Sequence, residues 1–365
     1  MKPITEKRDV QDRVIDYLQA IGWEYIPPDD LQEKRNFNIK EPFIVEILES
    51  KLKELNPGII TDENAGDVIR RLRLIPSTLK GNEEFLEYLR GRKAVYVEKE
   101  NREKNFKLID FRNPQNNHFA FTKEFWFEDR EKRRLDIVLF INGIPVCDFE
   151  LKSPAVREAE EETFEQVKIY NSVLPELFKY LQFYAVSEGI KLFYGPIWKY
   201  ESKTFYRWRI GNESSFAELI KTFFDRREVL DTLRAYIVFM TVDEELQKYI
   251  LKHHQRRAIR KIIGRVLERK KKKGLIWHTQ GAYKSLTMIV CADELRKLPE
   301  LENPTILVVV DRLELEHQIY QNFQSYGYPN IVRAESKNHL RKLLEDDYRG
   351  LIITMIHKFE GIQSV

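Results

Sequence analysis

Between Arg134 and Lys152 the chain reads RLDIVLFINGIPVCDFELK, two apolar runs of strand length closed on Asn142-Gly143. That pattern is a strong short-range signal of a β-hairpin. It constrains more than the local fold, because a strand sends alternate side chains to opposite faces. Asp148, Glu150 and Lys152 therefore share one face, and Cys147, Phe149 and Leu151 share the other. A face carrying two carboxylates and an ammonium has to be solvated, paired or put to use.

Where Asp136 falls depends on the turn. A two-residue turn at Asn142-Gly143 sets Asp136 opposite Phe149, on the face away from Glu150. A three-residue loop over 141–143 sets it opposite Asp148, and Asp136, Asp148, Glu150 and Lys152 then converge. Convergence thus requires an odd-length loop, or a bulge elsewhere in the hairpin. Two carboxylates with a carbonyl oxygen suit Mg²⁺, a hard ion that takes oxygen ligands. A nearby lysine can orient an attacking water or steady a phosphate in its transition state. A solvated β-face closed by a salt bridge is the plain structural reading of the same residues. Gln166 and Tyr170 lie four apart on a helix expected over 156–173, so they share a face.

The rest of the chain sorts into two blocks. Residues 1–225 mix helices (6–21, 41–55, 64–73) with β-rich segments (95–97, 106–109, 119–127, 183–186, 190–194), and residues 226–252 read as a helical connector. From 253 onward helices alternate with strands: helix 254–270, strand 274–278, helix 284–297, strand 306–311, helix 313–324, strand 351–354. That alternation implies a parallel, doubly wound sheet. The stretch GLIWHTQGAYKSLTM, 274–288, has the layout of a phosphate-binding loop: strand, Gly281, Lys284-Ser285, helix. Tyr283 stands where such loops place a glycine before the lysine, a position where backbone and phosphate approach closely.

Composition narrows the partners. The 61 basic and 58 acidic residues leave a net charge of +3, so the chain is no general polycation and a nucleic-acid surface has to be a local groove. Cys147 and Cys291 have no metal-binding spacing, and a reduced, cytoplasmic protein is expected. No leader sequence and no membrane span is expected either. The lysine run ending at Lys273 reads as a solvated loop.

Asp136 followed by Glu150-Leu-Lys152 resembles the PD-(D/E)xK nuclease superfamily, and Gln166 with Tyr170 resembles the Gln-xxx-Tyr element of its RecB-like branch. Over a longer span the sequence is similar to the N-terminal part of the restriction, or motor, subunit of type I restriction-modification enzymes. The similarity is carried by Gly22-Trp23-Glu-Tyr25, Asn113-Pro114, Asn117-His-Phe119, Arg134-Leu-Asp136 and Glu150-Leu-Lys152. In that family the second block begins a superfamily 2 translocase domain, with Thr-Gln-Gly-x-Gly-Lys-Ser at the loop. His254-Gln255 resembles the Q motif, whose glutamine reads adenine. Asp311-Arg312 to Gln318 and Ile353 to Phe359 resemble the next two elements, the first of which contacts the DNA backbone.

The resemblance implies an α/β fold: a PD-(D/E)xK nuclease-like mixed sheet flanked by helices over 1–225, then a partial RecA-like parallel α/β domain over 253–365. It implies a DNA endonuclease with Asp136 and Glu150 on Mg²⁺, Lys152 assisting the attacking water, and Gln166 and Tyr170 beside them. Glu6 is a further acidic candidate near the metal, and Asp148 lies outside the family pattern. It implies an ATP site at Gln255, Gly281, Lys284 and Ser285, with binding weakened by Tyr283. Partners would be double-stranded DNA and the modification and specificity subunits. No DExx box follows residue 285, so the chain reads as an N-terminal fragment and ATP hydrolysis by it alone is not expected. A non-catalytic docking module and a stand-alone phosphate-loop phosphotransferase are the rival readings.

Overall fold

The computed structural model describes residues 7–153, 159–200, 204–211, 214–268, 270 and 272–360. Glu6, and Arg269 and Lys271 of the lysine run, lie outside the described residues. The chain divides into two compact units, residues 1–237 with 248–250, and residues 238–247 with 251–365.

The first unit opens with α1 (Lys7–Ala20), β1 (Glu24–Tyr25), α2 (Pro28–Lys34), α3 (Val45–Leu55), α4 (Ala65–Arg73) and α5 (Leu79–Leu89). A short hairpin follows, β2 (Ala94–Val97) and β3 (Arg102–Asn105), then β4 (Phe119–Glu128), β5 (Lys132–Ile141) and β6 (Ile144–Leu151). Then come α6 (Ala159–Val173), α7 (Pro175–Phe178), β7 (Phe183–Ser187), β8 (Leu192–Pro196), β9 (Tyr206–Arg207), α8 (Phe216–Phe223) and α9 (Arg226–Asp231). Seven strands form one sheet in the order β1-β4-β5-β6-β7-β8-β9. The β1–β4 and β6–β7 pairs are parallel and the others antiparallel, so the sheet is mixed. All eight residues of β6 are buried, because it has strands on both sides and helices over both faces. On one face Phe149 meets Phe224, with ring centroids 4.9 Å apart. On the other, Val138, Tyr184 and Val186 pack with Val167 of α6 and with Leu177 and Phe178 of α7.

The central hairpin answers the register question with a bulge. Asn142 and Gly143 have φ of 53° and 78°, a two-residue turn with both residues left-handed. Gly143 is required twice over, since a Cβ there would lie 2.5 Å from the Ile44 carbonyl oxygen. Asn142 is held by its own side chain, which donates to Leu108 O (2.8 Å) and Asn117 Oδ1 (2.9 Å) and accepts from His118 N (2.7 Å). The ladder starts Ile141–Ile144 and Phe140–Pro145, then skips Val146 and resumes Leu139–Cys147, Val138–Asp148, Ile137–Phe149. The next step brings Asp136 opposite Glu150, on one face with Asp148.

Three expectations for this part of the chain need correction. The segment Phe106–Ile109 is buried but is not a strand; Asn56 takes the place of a neighbouring strand, accepting from Lys107 N at 2.7 Å and donating to Lys107 O at 2.8 Å. The connector over 226–252 is helical only as far as Tyr236, and β10 (Ile237–Val242) and β11 (Glu245–Ile250) pair as a hairpin. Its β-branched and aromatic residues favour strand, and β11 is pinned by the buried Lys248, which donates to Asn82 Oδ1 (2.6 Å) and Gln182 O (2.7 Å).

The second unit holds α10 (His253–Glu268), α11 (Lys284–Arg296), β12 (Ile306–Val310), α12 (Leu313–Ser325), β13 (Ile331–Arg333), α13 (Lys337–Glu345) and β14 (Leu351–Met355). Its sheet is parallel, in the order β12-β14-β13. Gly274–His278 is not one of its strands: Leu275 and Trp277 are 81% and 85% exposed, and among the described residues no strand pairs with the segment. Apolar alternation makes a strand only where a neighbour takes its backbone hydrogen bonds. The elements β13 and α13 have weak sequence signals; α13 is capped by Ser336, whose hydroxyl accepts from His339 N at 3.1 Å.

Candidate active site

In the first unit the five expected nuclease residues come together. Asp136 is 4% exposed and Glu150 fully buried, side by side on β5 and β6. The Asp136 N–H donates to Glu150 Oε1 at 3.0 Å, and the Leu151 N–H donates to Asp136 Oδ2 at 2.8 Å. The Gln166 amide donates to Glu150 Oε2 at 2.8 Å and to Tyr170 Oη at 2.7 Å, and the Tyr170 hydroxyl donates to Arg134 O at 3.1 Å. Both carboxylates are therefore held from behind by donors, with their orientation set before any ligand arrives. Burial first, then the Glu150 charge, keeps the Tyr170 hydroxyl protonated well past its ordinary range. Lys152 follows β6, its N–H donating to Ser187 O at 2.9 Å.

Three participants escape the motif. Glu162 pairs with Lys152, Oε1 to Nζ 3.3 Å. It lies four residues before Gln166 and eight before Tyr170, so helical spacing alone places it on their face. Gln11 of α1 donates from Nε2 to Asp136 O at 3.2 Å, a contact with no sequence signal. Asp148 is 0% exposed and neither of its carboxylate oxygens has a hydrogen-bond partner; nor has the buried hydroxyl of Tyr184, its neighbour on β7. Burial, then the Asp136 charge, pushes the Asp148 carboxyl well above its usual range.

The donor set fits Mg²⁺. It is all hard oxygen, with two carboxylates at the end of a buried hairpin and an unpartnered third beside them. Among the described residues no three His, Cys, Asp or Glu side chains group closely enough to cage an ion alone, which suits a cation that keeps its waters. Both cysteines are free and buried, and burial lifts the Cys291 thiol to about 12, so neither is poised as a nucleophile.

The second unit's loop has its polar groups turned inward. Gly281 has φ of 77°, and Tyr283, which precedes the first turn of α11, is also left-handed at φ 52°, ψ 49°. The Lys284 ammonium donates to His278 O (3.1 Å) and Thr279 O (3.0 Å), carbonyls of its own loop. Gln255 is buried; its amide donates to Tyr283 O (3.1 Å) and Thr287 Oγ1 (3.2 Å) and accepts from Lys252 N (2.8 Å). The Lys252 ammonium lies 4.9 Å from the centre of the Tyr283 ring. Ser285 sits partly exposed in the first turn of α11. In this arrangement the loop does not fit a nucleotide phosphate, because its lysine and its glutamine already bind the protein. Farther along, Lys358 is buried in an ion pair with Glu316 at 3.0 Å.

A mixed sheet carrying a paired carboxylate hairpin, an adjacent lysine and a glutamine–tyrosine helix is a PD-(D/E)xK nuclease-like fold, and the parallel second unit is a partial RecA-like domain. The chain belongs to the family of type I restriction enzyme R protein N termini, whose family model matches residues 3–200. A model for SWI2/SNF2 ATPases matches residues 254–364. Among similar proteins, the type I restriction enzyme HindI endonuclease subunit of Haemophilus influenzae is 29% identical over 97% of this chain and 36% of its own length. The MjaIXP endonuclease subunit of Methanocaldococcus jannaschii is 28% identical over 98% of this chain and 37% of its own length. The SsaAORF53P endonuclease subunit of Staphylococcus saprophyticus is 28% identical over 70% of this chain and 28% of its own. The chain spans about a third of the length of the first two relatives. No helix among the described residues is long and apolar enough to cross a membrane.

Proposed function

We propose that the first unit is the Mg²⁺-dependent DNA endonuclease portion of an ATP-driven type I restriction motor subunit. It would cut double-stranded DNA after translocation, in a complex with modification and specificity subunits. One observation carries the reading: skipping Val146 sets Asp136 beside Glu150, and Gln166 and Tyr170 brace that pair. The relatives named as endonuclease subunits support it.

In this reading Asp136 and Glu150 offer oxygens to the ion. Gln166 fixes the rotamer of Glu150, and Tyr170 fixes Gln166. Lys152 orients the attacking water, its charge held by Glu162 until a phosphate replaces that carboxylate. A bound Mg²⁺ would polarise the scissile phosphate and make hydroxide available near neutral pH.

Calorimetric titration of Mn²⁺ tests this, with wild type beside Asp136→Ala and Glu150→Ala, without and with duplex DNA. Binding in the wild type that both substitutions abolish is the expected result. The same outcome for all three proteins, in both conditions, would sink the reading.

A non-catalytic role is favoured for the second unit alone, on the inward-turned Lys284 and left-handed Tyr283. Nucleotide binding there is expected to be weak in the wild type and to appear in Tyr283→Gly.

A further inference from the structure

Asp148 lies on β6 between Val138 of β5 and Tyr184 of β7, its carboxyl on the face of Glu150 and Asp136. It is fully buried, and both oxygens lack a hydrogen-bond partner. Buried acceptors in folded proteins nearly always find a donor, and an unpaired carboxylate removed from water is among the costliest arrangements a core can hold. The groups beside it do not meet that need. Asp136 and Glu150 are acceptors, and the Tyr184 hydroxyl is itself buried without a partner.

A hydrated divalent cation would bring the missing donors. Mg²⁺ is characteristically held by one or two carboxylates and retains several waters. The two carboxylates braced for it are Asp136 and Glu150, and no third side chain closes a cage among the described residues. Water bound to the ion is a strong donor toward an anionic oxygen. We propose that Asp148 is a positioning residue of the metal site: it accepts hydrogen bonds from water bound to an ion that Asp136 and Glu150 hold, and so orients that water and slows the ion's loss. This rests on the metal-dependent nuclease reading given above.

The test is Mn²⁺ calorimetry on the full chain, with Asp148→Asn and Asp148→Ala beside the wild type and a metal-free thermal melt of each. Both variants are expected to melt no lower than the wild type, having lost an uncompensated buried charge. Both are expected to bind Mn²⁺ about tenfold more weakly or worse, with unchanged stoichiometry, as is usual for lost outer-shell partners. A carboxylate of merely structural role would move the melt and leave the affinity alone. Wild-type Mn²⁺ affinity in whichever variants fold would overturn this role for Asp148 and leave the nuclease reading standing. A wild type that binds no Mn²⁺, with DNA or without, would overturn both.

Discussion

Two places in this molecule are laid out to handle phosphate, and both need left-handed backbone. At the tip of the carboxylate hairpin the left-handed residues are Asn142 and Gly143, an asparagine tied down by its own side chain and a glycine with no room for a Cβ. At the start of α11 they are Gly281 and Tyr283. A tyrosine there carries a strain of about 1–2 kcal/mol and a ring that needs a neighbour, which Lys252 provides. The functional groups differ in the same way. The hairpin carboxylates are held from behind by Leu151 N, Asp136 N and Gln166, whereas Lys284 and Gln255 spend their hydrogen bonds closing their own loop. A site is organised when its supports come from elsewhere in the fold, and it is closed when the supports are its own working groups.

That contrast can be broken at several points, beginning with the largest effect. Gly143→Ala should destabilise the first unit by about 2–5 kcal/mol, combining left-handed strain with the clash at Ile44 O. Urea denaturation reads this, and a loss under about 1 kcal/mol would mean that the turn is not rigid. Gln166→Ala should leave the fold intact and weaken Mn²⁺ binding about tenfold, since it frees Glu150 to turn; unchanged affinity in calorimetry would show that the brace is dispensable. Tyr283→Gly should barely move stability. Strain relief of about 1 kcal/mol is offset by a lost cation–π contact of about 0.5–1 kcal/mol and by glycine's greater unfolded freedom. Binding of a fluorescent ATP analogue should nonetheless rise, and if it stays absent the tyrosine is not what closes the loop.

The smallest effect is a pH dependence at His254. Burial, then His278, lowers its pKa. The unfolded chain therefore takes up this proton first, near its ordinary value of about 6.5. Stability from this group is complete above that value and is lost as pH falls toward the lowered folded value. Between about pH 7.5 and about pH 5.5 the wild-type melting temperature should fall more than that of His254→Asn. Parallel slopes would assign the acid sensitivity to other groups.

Much of the nuclease site is legible in the sequence because it depends on short-range periodicity. Alternation gives the face of Asp148, Glu150 and Lys152, and spacing of four joins Gln166 to Tyr170 and would have added Glu162. The pairing of Asp136 with Glu150 is not legible, because it depends on the unpaired Val146, which is an ordinary apolar residue at the level of sequence. Long-range contacts were hidden for the same reason: Gln11 and Asn56 act on residues far along the chain through single side-chain hydrogen bonds. The segment 274–278 misled in the opposite direction. Its alternation is that of a strand, but a strand is a property of two segments, and its hydrogen-bonding partner is not found among the described residues.

The bulge also makes the hairpin unequal in what its two arms can lose over evolutionary time. β6 carries one residue more than its ladder pairs, so a lineage that dropped the codon for Val146 would straighten that strand and keep Asp136 facing Glu150. A codon lost from β5 between Asp136 and Leu139 would instead swing the aspartate to the opposite face. Every letter of the motif would survive both events. A one-residue alignment gap is therefore harmless on one arm of this hairpin and the mark of a dead nuclease on the other.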